Sequence, residues 1–313
     1  IMLDTFHDRR RAYLFIVNPL GVQQDGVTTT SGRGDDDYSF DTVWESEGRL
    51  TPFGYVTRMA IPFKSLRFPN AGVQEWGVAF ARIIPRTSEE VFWPYITRRI
   101  ARPETQFAVA SGMEGISAGR NMQVIPYAAF TGARFLDRDD AAFVDERNWR
   151  GGLDGKFVVK DAFTVDLTLN PDFSQIESDE PQVTINQRFE VFFEEKRPFF
   201  IENASYFQTP INLFFSRRIA DPLAGVRLTG KAGGWSVGGL AIDDRAPGEV
   251  LEDLDPLHPD AGSRAGIGVL RVQRDLPRQS TIGVLATTRE FGDGSSRIFG
   301  VDSRVTLSDT WVA

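Results

Sequence analysis

Eight carboxylates crowd into the stretch between residues 172 and 202: Asp172, Glu177, Asp179, Glu180, Glu190, Glu194, Glu195 and Glu202. Glycoside hydrolysis needs two carboxyl groups facing each other across the scissile bond. Here no spacing singles out a pair, and no catalytic motif surrounds one. The charges nearby also come in both signs, with Glu190, Glu194, Glu195, Lys196 and Arg197 followed by Arg217 and Arg218. Salt bridging among them, where an unpaired charge would be costly, is the reading their types favour. An O-glycosyl hydrolase is the enzyme alternative, with no catalytic residue assigned; a non-enzymatic role is the main expectation.

A second kind of chemistry belongs to the aromatics. Sugar-binding surfaces lay rings against the apolar faces of pyranoses and surround them with hydrogen-bonding groups. Trp93, Trp44, Trp76, Tyr55 and Tyr38 are the candidates. Trp44 and Trp76 sit in alternating runs, where a core position is the plainer role. Trp93 stands beside Pro94, at the end of a strand-like run. A third possibility is metal binding. Asp35, Asp36 and Asp37 offer oxygen ligands on a Gly-rich loop, which suits Ca2+. Their spacing is not that of an EF-hand, and a charge run is commonly just solvated. Gly225, Gly230, Gly233, Gly234, Gly238 and Gly239 lack the Lys-Ser/Thr that a phosphate loop requires. They suit strands that bend or pack closely.

Composition narrows the field. The 313 residues contain no cysteine, which removes disulfide scaffolds and thiolate metal sites. Only His7 and His258 are present, too far apart in sequence to suggest a His-based centre. A net charge of −8 argues against a nucleic-acid partner. No apolar run is long enough for a membrane-spanning helix. The chain opens and closes inside patterned sequence, and is expected to be an internal piece of a longer protein.

These candidates need elements to hold them. Residues 1–118 read as short strands bounded by Gly, Pro and Asn, the pattern of an antiparallel β-sandwich. From residue 119 the alternation sharpens. Trp149, Leu153, Phe157 and Val159 face one way; Arg150, Asp154, Lys156 and Lys160 face the other. Phe163, Val165, Leu167 and Leu169 alternate in the same way with Thr164, Asp166, Thr168 and Asn170. The pattern returns around Val226 and Leu228, and again around Phe299, Val301, Val305 and Leu307. Short turns fall on one side and long connections on the other, the arrangement of outer-membrane barrels. A soluble antiparallel sheet alternates too. Residues 171–210 interrupt the strands with mixed charges and seven phenylalanines, and read as a plug or lumen segment; a long outer loop with a short helix at "QRFEVFFEE" is the plainer alternative.

The block "LNPDFSQIESDEPQVTINQRFEVFFEEKRPFFIENASYF", with "LFFSRRI" after it, resembles domain-of-unknown-function family 5916. In that family the block follows a carbohydrate-binding family 9-like sandwich. The front half is similar as well, at "FHDRRRAYLFIVNPLGVQQD", "DDDYSFDTVWES", "GYVTRMAIPFKSLRFP" and "EWGVAFAR". The resemblance implies an all-β chain: a truncated carbohydrate-binding family 9-like antiparallel sandwich at 1–118, then a partial antiparallel outer-membrane-type barrel at 119–313. It further implies a bacterial outer-membrane location, with the sandwich in the periplasm or at the cell surface. The implied partners are an oligo- or polysaccharide and the lipid bilayer, with a loose link to glycan uptake or catabolism. A purely structural barrel, whose sandwich contacts another protein, is the remaining alternative.

Overall fold

The computed structural model describes residues 1–29, 36–38, 40–100, 102–117, 119, 122–137, 142–160, 162–171, 195 and 197–307. The chain is mostly β, and every strand pairing is antiparallel.

The N-terminal part holds β1 (Met2–Asp4), β2 (Arg11–Val17), β3 (Gln23–Thr29), β4 (Glu45–Thr51), β5 (Gly54–Ala60), β6 (Val73–Ile84), β7 (Glu89–Trp93) and β8 (Ala108–Glu114). Six of these make one sheet in the order β3-β2-β1-β6-β7, with β8 on the first half of β6. The continuous apolar run of β2 is buried on both faces, as suits a strand covered on both sides. Tyr13, Phe15 and Val27 meet Trp44, Leu66, Phe68 and Trp76 in one core. The second layer over this sheet is slight among the described residues: the two-stranded hairpin β4–β5 and the irregular chain flanking it.

Eight further strands follow: β9 (Met122–Asp137), β10 (Ala142–Val159), β11 (Phe163–Leu169), β12 (Pro222–Ala232), β13 (Trp235–Asp244), β14 (Ala265–Asp275), β15 (Thr281–Phe291) and β16 (Gly294–Arg304). They form a single meander, each strand beside the next in sequence. Among the described residues the sheet is open: β9 and β16 are its two edges. β12 to β16 are 10 or 11 residues long, whereas β9 and β10 run to 16 and 18. Gly233 and Gly234, with φ of +55° and +75°, close the tight β12–β13 turn in a conformation that side chains disfavour.

The two faces of this sheet differ. One carries Phe157, Val165, Leu228, Leu270 and Phe299 at matching register. Leu167, Val226 and Val301 on the same face are 39%, 40% and 61% exposed. The other face is covered by residues 197–219, which include helix α1 (Pro198–Ile201). Phe199, Phe200, Phe207 and Ile219 pack there on Leu240, Ile242, Ile267, Val269 and Leu285. Gly238 makes room: a Cβ there would stand 3.1 Å from the Phe207 ring. An unforeseen helix, α2 (Ala246–Leu254), lies in the β13–β14 connection, started by Pro247 in its first turn. The helix considered at "QRFEVFFEE" lies outside the described residues but for Glu195.

The N-terminal sheet docks on the short-turn end of the meander through charged groups. Lys231, at the end of β12, pairs with Asp8 and with Asp275 at 2.6 Å. Arg10 pairs with Asp275 at 3.2 Å and donates to the Ser280 carbonyl at 2.8 Å. Arg102 donates to Gln279 Oε1 and to Thr306 Oγ1, each at 2.6 Å.

Asp4, fully buried behind this junction, accepts from the Arg9 backbone N–H at 2.7 Å. Burial, and then the Asp8 charge, push its pKa up to about 7, against the pull of those backbone donors and of Lys231. Because folding raises this pKa, the folded chain holds a proton that the unfolded chain releases. Stability should therefore fall as pH rises from about 4 to about 7, by a few kcal/mol at most, and level off above. Asp4→Asn should flatten that slope in denaturation midpoints followed from pH 5 to 8. A midpoint that climbs over this range in the unsubstituted chain would contradict the assignment.

Candidate functional site

Two places bring chemistry-bearing side chains together. The first is the β6–β7 hairpin. Its register sets Phe80 opposite Trp93 and Arg82 opposite Val91. Alternation puts all four side chains on one face of the ribbon. The Phe80 and Trp93 rings lie 5.8 Å apart, tilted by 43°. Trp93 is 60% exposed. Arg82 lies over the ring of Tyr55 at 5.4 Å, which brings the tip of β4–β5 beside this face. The result is an open aromatic surface with a guanidinium at its margin, able to stack on an apolar ring face and donate hydrogen bonds around it.

Of the sequence candidates, Trp93 and Tyr55 belong to this surface. Trp44 and Trp76 do not: both are buried, Trp44 edge-on to Phe15 and Trp76 against Phe63 and Phe68. Packing occupies the ring faces a ligand would need, so their role is in the core. Tyr38 is exposed, packs over Gly26 of β3, and donates from its hydroxyl to Asp36 at 3.1 Å. Phe80 and Arg82 were not among the candidates. The signal for Phe80 was the hairpin itself, since a turn near residues 86–87 must set it opposite Trp93.

Of the acidic run, Asp37 bridges to Val27 through its main chain, and Asp36 takes the Tyr38 hydroxyl. Asp35 lies outside the described residues. Among the described residues no three acidic or imidazole groups gather as a metal would need, so a calcium site has no built support there.

The second place is the covered face of the meander. Arg227, 2% exposed, donates from Nη2 to Asp166 Oδ2 at 2.8 Å and from Nε to the same oxygen at 3.1 Å. It also donates to the Phe199 carbonyl and lies over the Phe199 ring. Lys156 meets Glu202 at 2.5 Å, and Glu202 stands 3.9 Å from Arg227. Strand register does most of the positioning, with Lys156 opposite Asp166 and Asp166 opposite Arg227. A pocket of about 290 Å3 opens beside these groups, with Asp41, Gln123, Ile125 and Asp154 also in its lining.

In the segment that covers this face Arg197 clasps Glu195 through two hydrogen bonds of 2.8 Å. It also donates to the carbonyls of Ser216 and Ile219. Arg217 and Arg218 lie in the turn that follows, where the Arg218 N–H donates to Phe215. Glu190, Glu194 and Lys196 lie outside the described residues, as do Asp172, Glu177, Asp179 and Glu180. Glu195 and Glu202, the two described members of the carboxylate group, are each held by a cation. Neither of these two is left without a cation beside it.

Residues 120–229 match the family model described as Domain of unknown function (DUF5916), so the chain carries that domain over this span. The span takes in Lys156, Asp166, Glu202 and Arg227, and leaves the N-terminal sheet outside it. No curated protein and no solved structure matches the chain.

Arg227→Ala should strand Asp166 as a buried charge and cost roughly 3–5 kcal/mol. Replacing both partners, Arg227→Met with Asp166→Leu, should recover most of that loss. Denaturant unfolding followed by tryptophan fluorescence checks both; equal losses in the single and double variants would refute the pairing.

Proposed function

We propose that residues 122–304 form part of a bacterial outer-membrane wall, and that a reduced carbohydrate-binding-type sandwich on its periplasmic side holds an oligosaccharide at the Trp93–Phe80 surface. The observation that carries the membrane reading is the slope of the apolar band. The first outward charge above it is Arg147 on β10, Asp243 on β13, Glu290 on β15 and Arg297 on β16. Followed across the ladder, Arg297 stands level with Gly155, eight residues below Arg147. Eight residues are roughly 27 Å along a strand, and the six strand spacings between β10 and β16 are roughly 29 Å. From β10 to β16 the margin therefore falls at an average of about 40°, with Asp243 and Glu290 level with each other on the way, within the tilt of strands in membrane barrels.

Other features support the reading. Trp149 and Phe130 stack at the upper margin with ring centroids 4.6 Å apart, and Trp235 lies at the lower, as interfacial aromatics do. Within the band, Lys156, Asp166, Arg227, Arg271 and Asp302 lie on the covered face and are paired. An eight-stranded barrel has room inside for little more than side chains. Here the main chain of 197–219 lies on the inner face, so closure would take further strands at β9 and β16. The N-terminal sheet sits at the short-turn end, the periplasmic end of such barrels.

The natural chain lacks cysteine, so single cysteines can report on each face. After reconstitution in vesicles, fluorophores at positions 226, 228, 270 and 301 should be quenched by lipid-borne quenchers, and those at the exposed positions 123 and 298 of the opposite face should not. Equal quenching by a water-soluble quencher at all six would end the membrane reading. For the ligand, Trp93→Ala should weaken polysaccharide retention about tenfold, as loss of one stacking ring would. Unchanged retention, or none in the parent chain across a polysaccharide panel, would favour a structural envelope protein instead.

A further inference from the structure

The pocket beside Arg227 draws its lining from separate parts of the chain. Asp41 comes from the N-terminal part, Gln123, Ile125 and Asp154 from β9 and β10, and Glu202 and Phe199 from the segment on the inner face. We propose that it binds a small uncharged polyhydroxyl solute, a mono- or disaccharide. This rests on reading the covered face as the water-filled interior of a wall.

Size sets the first limit. A volume of about 290 Å3 lies at the low end for ligand pockets, enough for one small solute and too little for a polymer segment. Charge sets the second. The two cations lining it, Lys156 and Arg227, are already held by Glu202 at 2.5 Å and by Asp166 at 2.8 Å. Neither is left to neutralise an incoming anion. Asp41 and Asp154 add negative charge, which turns away phosphates, sulfates and acidic sugars. Hydroxyl groups face no such barrier. An ion-paired carboxylate keeps lone pairs outside its pair, and a paired ammonium keeps N–H donors. Both can serve hydroxyls, which donate and accept. The third feature is apolar lining: Ile125 and Phe199 each offer apolar surface against which the C–H face of a sugar can rest.

The pocket differs in kind from the Trp93 surface. The latter is open and suits a chain of sugars lying across it. The former is recessed, preorganised by ion pairs that exist before any ligand arrives, and takes a single unit or two.

The test is calorimetric titration of the detergent-solubilised full chain with glucose, maltose and lactose, and with glucuronate and putrescine as charged probes. At least one neutral sugar should bind, and glucuronate about tenfold more weakly or not at all. Ile125→Trp, which fills the pocket from an exposed position, should abolish that binding. Asp154→Asn, which keeps an acceptor for Thr168, should weaken it. Leu257→Ala, at an exposed position outside the lining, should leave it unchanged. The assignment is overturned if no neutral sugar binds, if glucuronate or putrescine binds more tightly, or if Ile125→Trp has no effect. Failure here, with the alternating quenching pattern intact, would remove the pocket and spare the wall; loss of that pattern would remove the wall itself.

Discussion

The pairing of Arg227 with Asp166 holds together parts of the chain that are far apart in sequence. Asp166 sits on β11, Arg227 on β12, and the Phe199 carbonyl that accepts the third bond belongs to the connection between them. A guanidinium this deeply buried is tolerable only when its donors are met on all sides. That requirement sets three things together: the β11–β12 register, the descent of residues 197–219 onto the sheet, and the position of Glu202 beside Lys156. The aromatic packing of Phe199, Phe200 and Phe207 then follows, because the main chain carrying them is already pinned to this face.

A related economy governs the junction with the N-terminal sheet. Lys231, Asp8, Asp275 and Arg10 interlock across it, and Arg10 and Arg102 also reach carbonyls or side chains of the β14–β15 turn. Directional groups of this kind fix an orientation more sharply than apolar contact does. The same junction keeps the Trp93 surface clear, since Trp93 stays exposed on a hairpin that takes no part in these bonds. On the proposed reading, the charges serve attachment and interior wetting, and the rings serve recognition.

Much of the second sheet was legible in the sequence. Alternation at period two marks strand and face together, so the apolar row through Phe157 and Leu167 and the polar row through Lys156 and Asp166 could be written down before any coordinates. The candidate sites were less legible. Trp44 and Trp76 have the same composition and local pattern as an exposed sugar platform, and only packing against Phe15, Phe63 and Phe68 removes them. Phe80 gained meaning from its partner across the hairpin, not from its own neighbours in sequence. The α2 helix was hidden in a connection whose Pro and Gly read as loop.

By itself, the sequence determined which side chains share a face, because that depends only on the two-residue period of an extended chain. It also determined that cysteine chemistry has no place here. Only the tertiary structure decided which groups meet across long separations: Arg227 with Phe199, Lys231 with Asp8, Arg82 with Tyr55. The reason is physical. A strand's alternation is written locally, whereas long-range register and docking emerge from the joint demand that every buried charge find a partner and every backbone group a hydrogen bond.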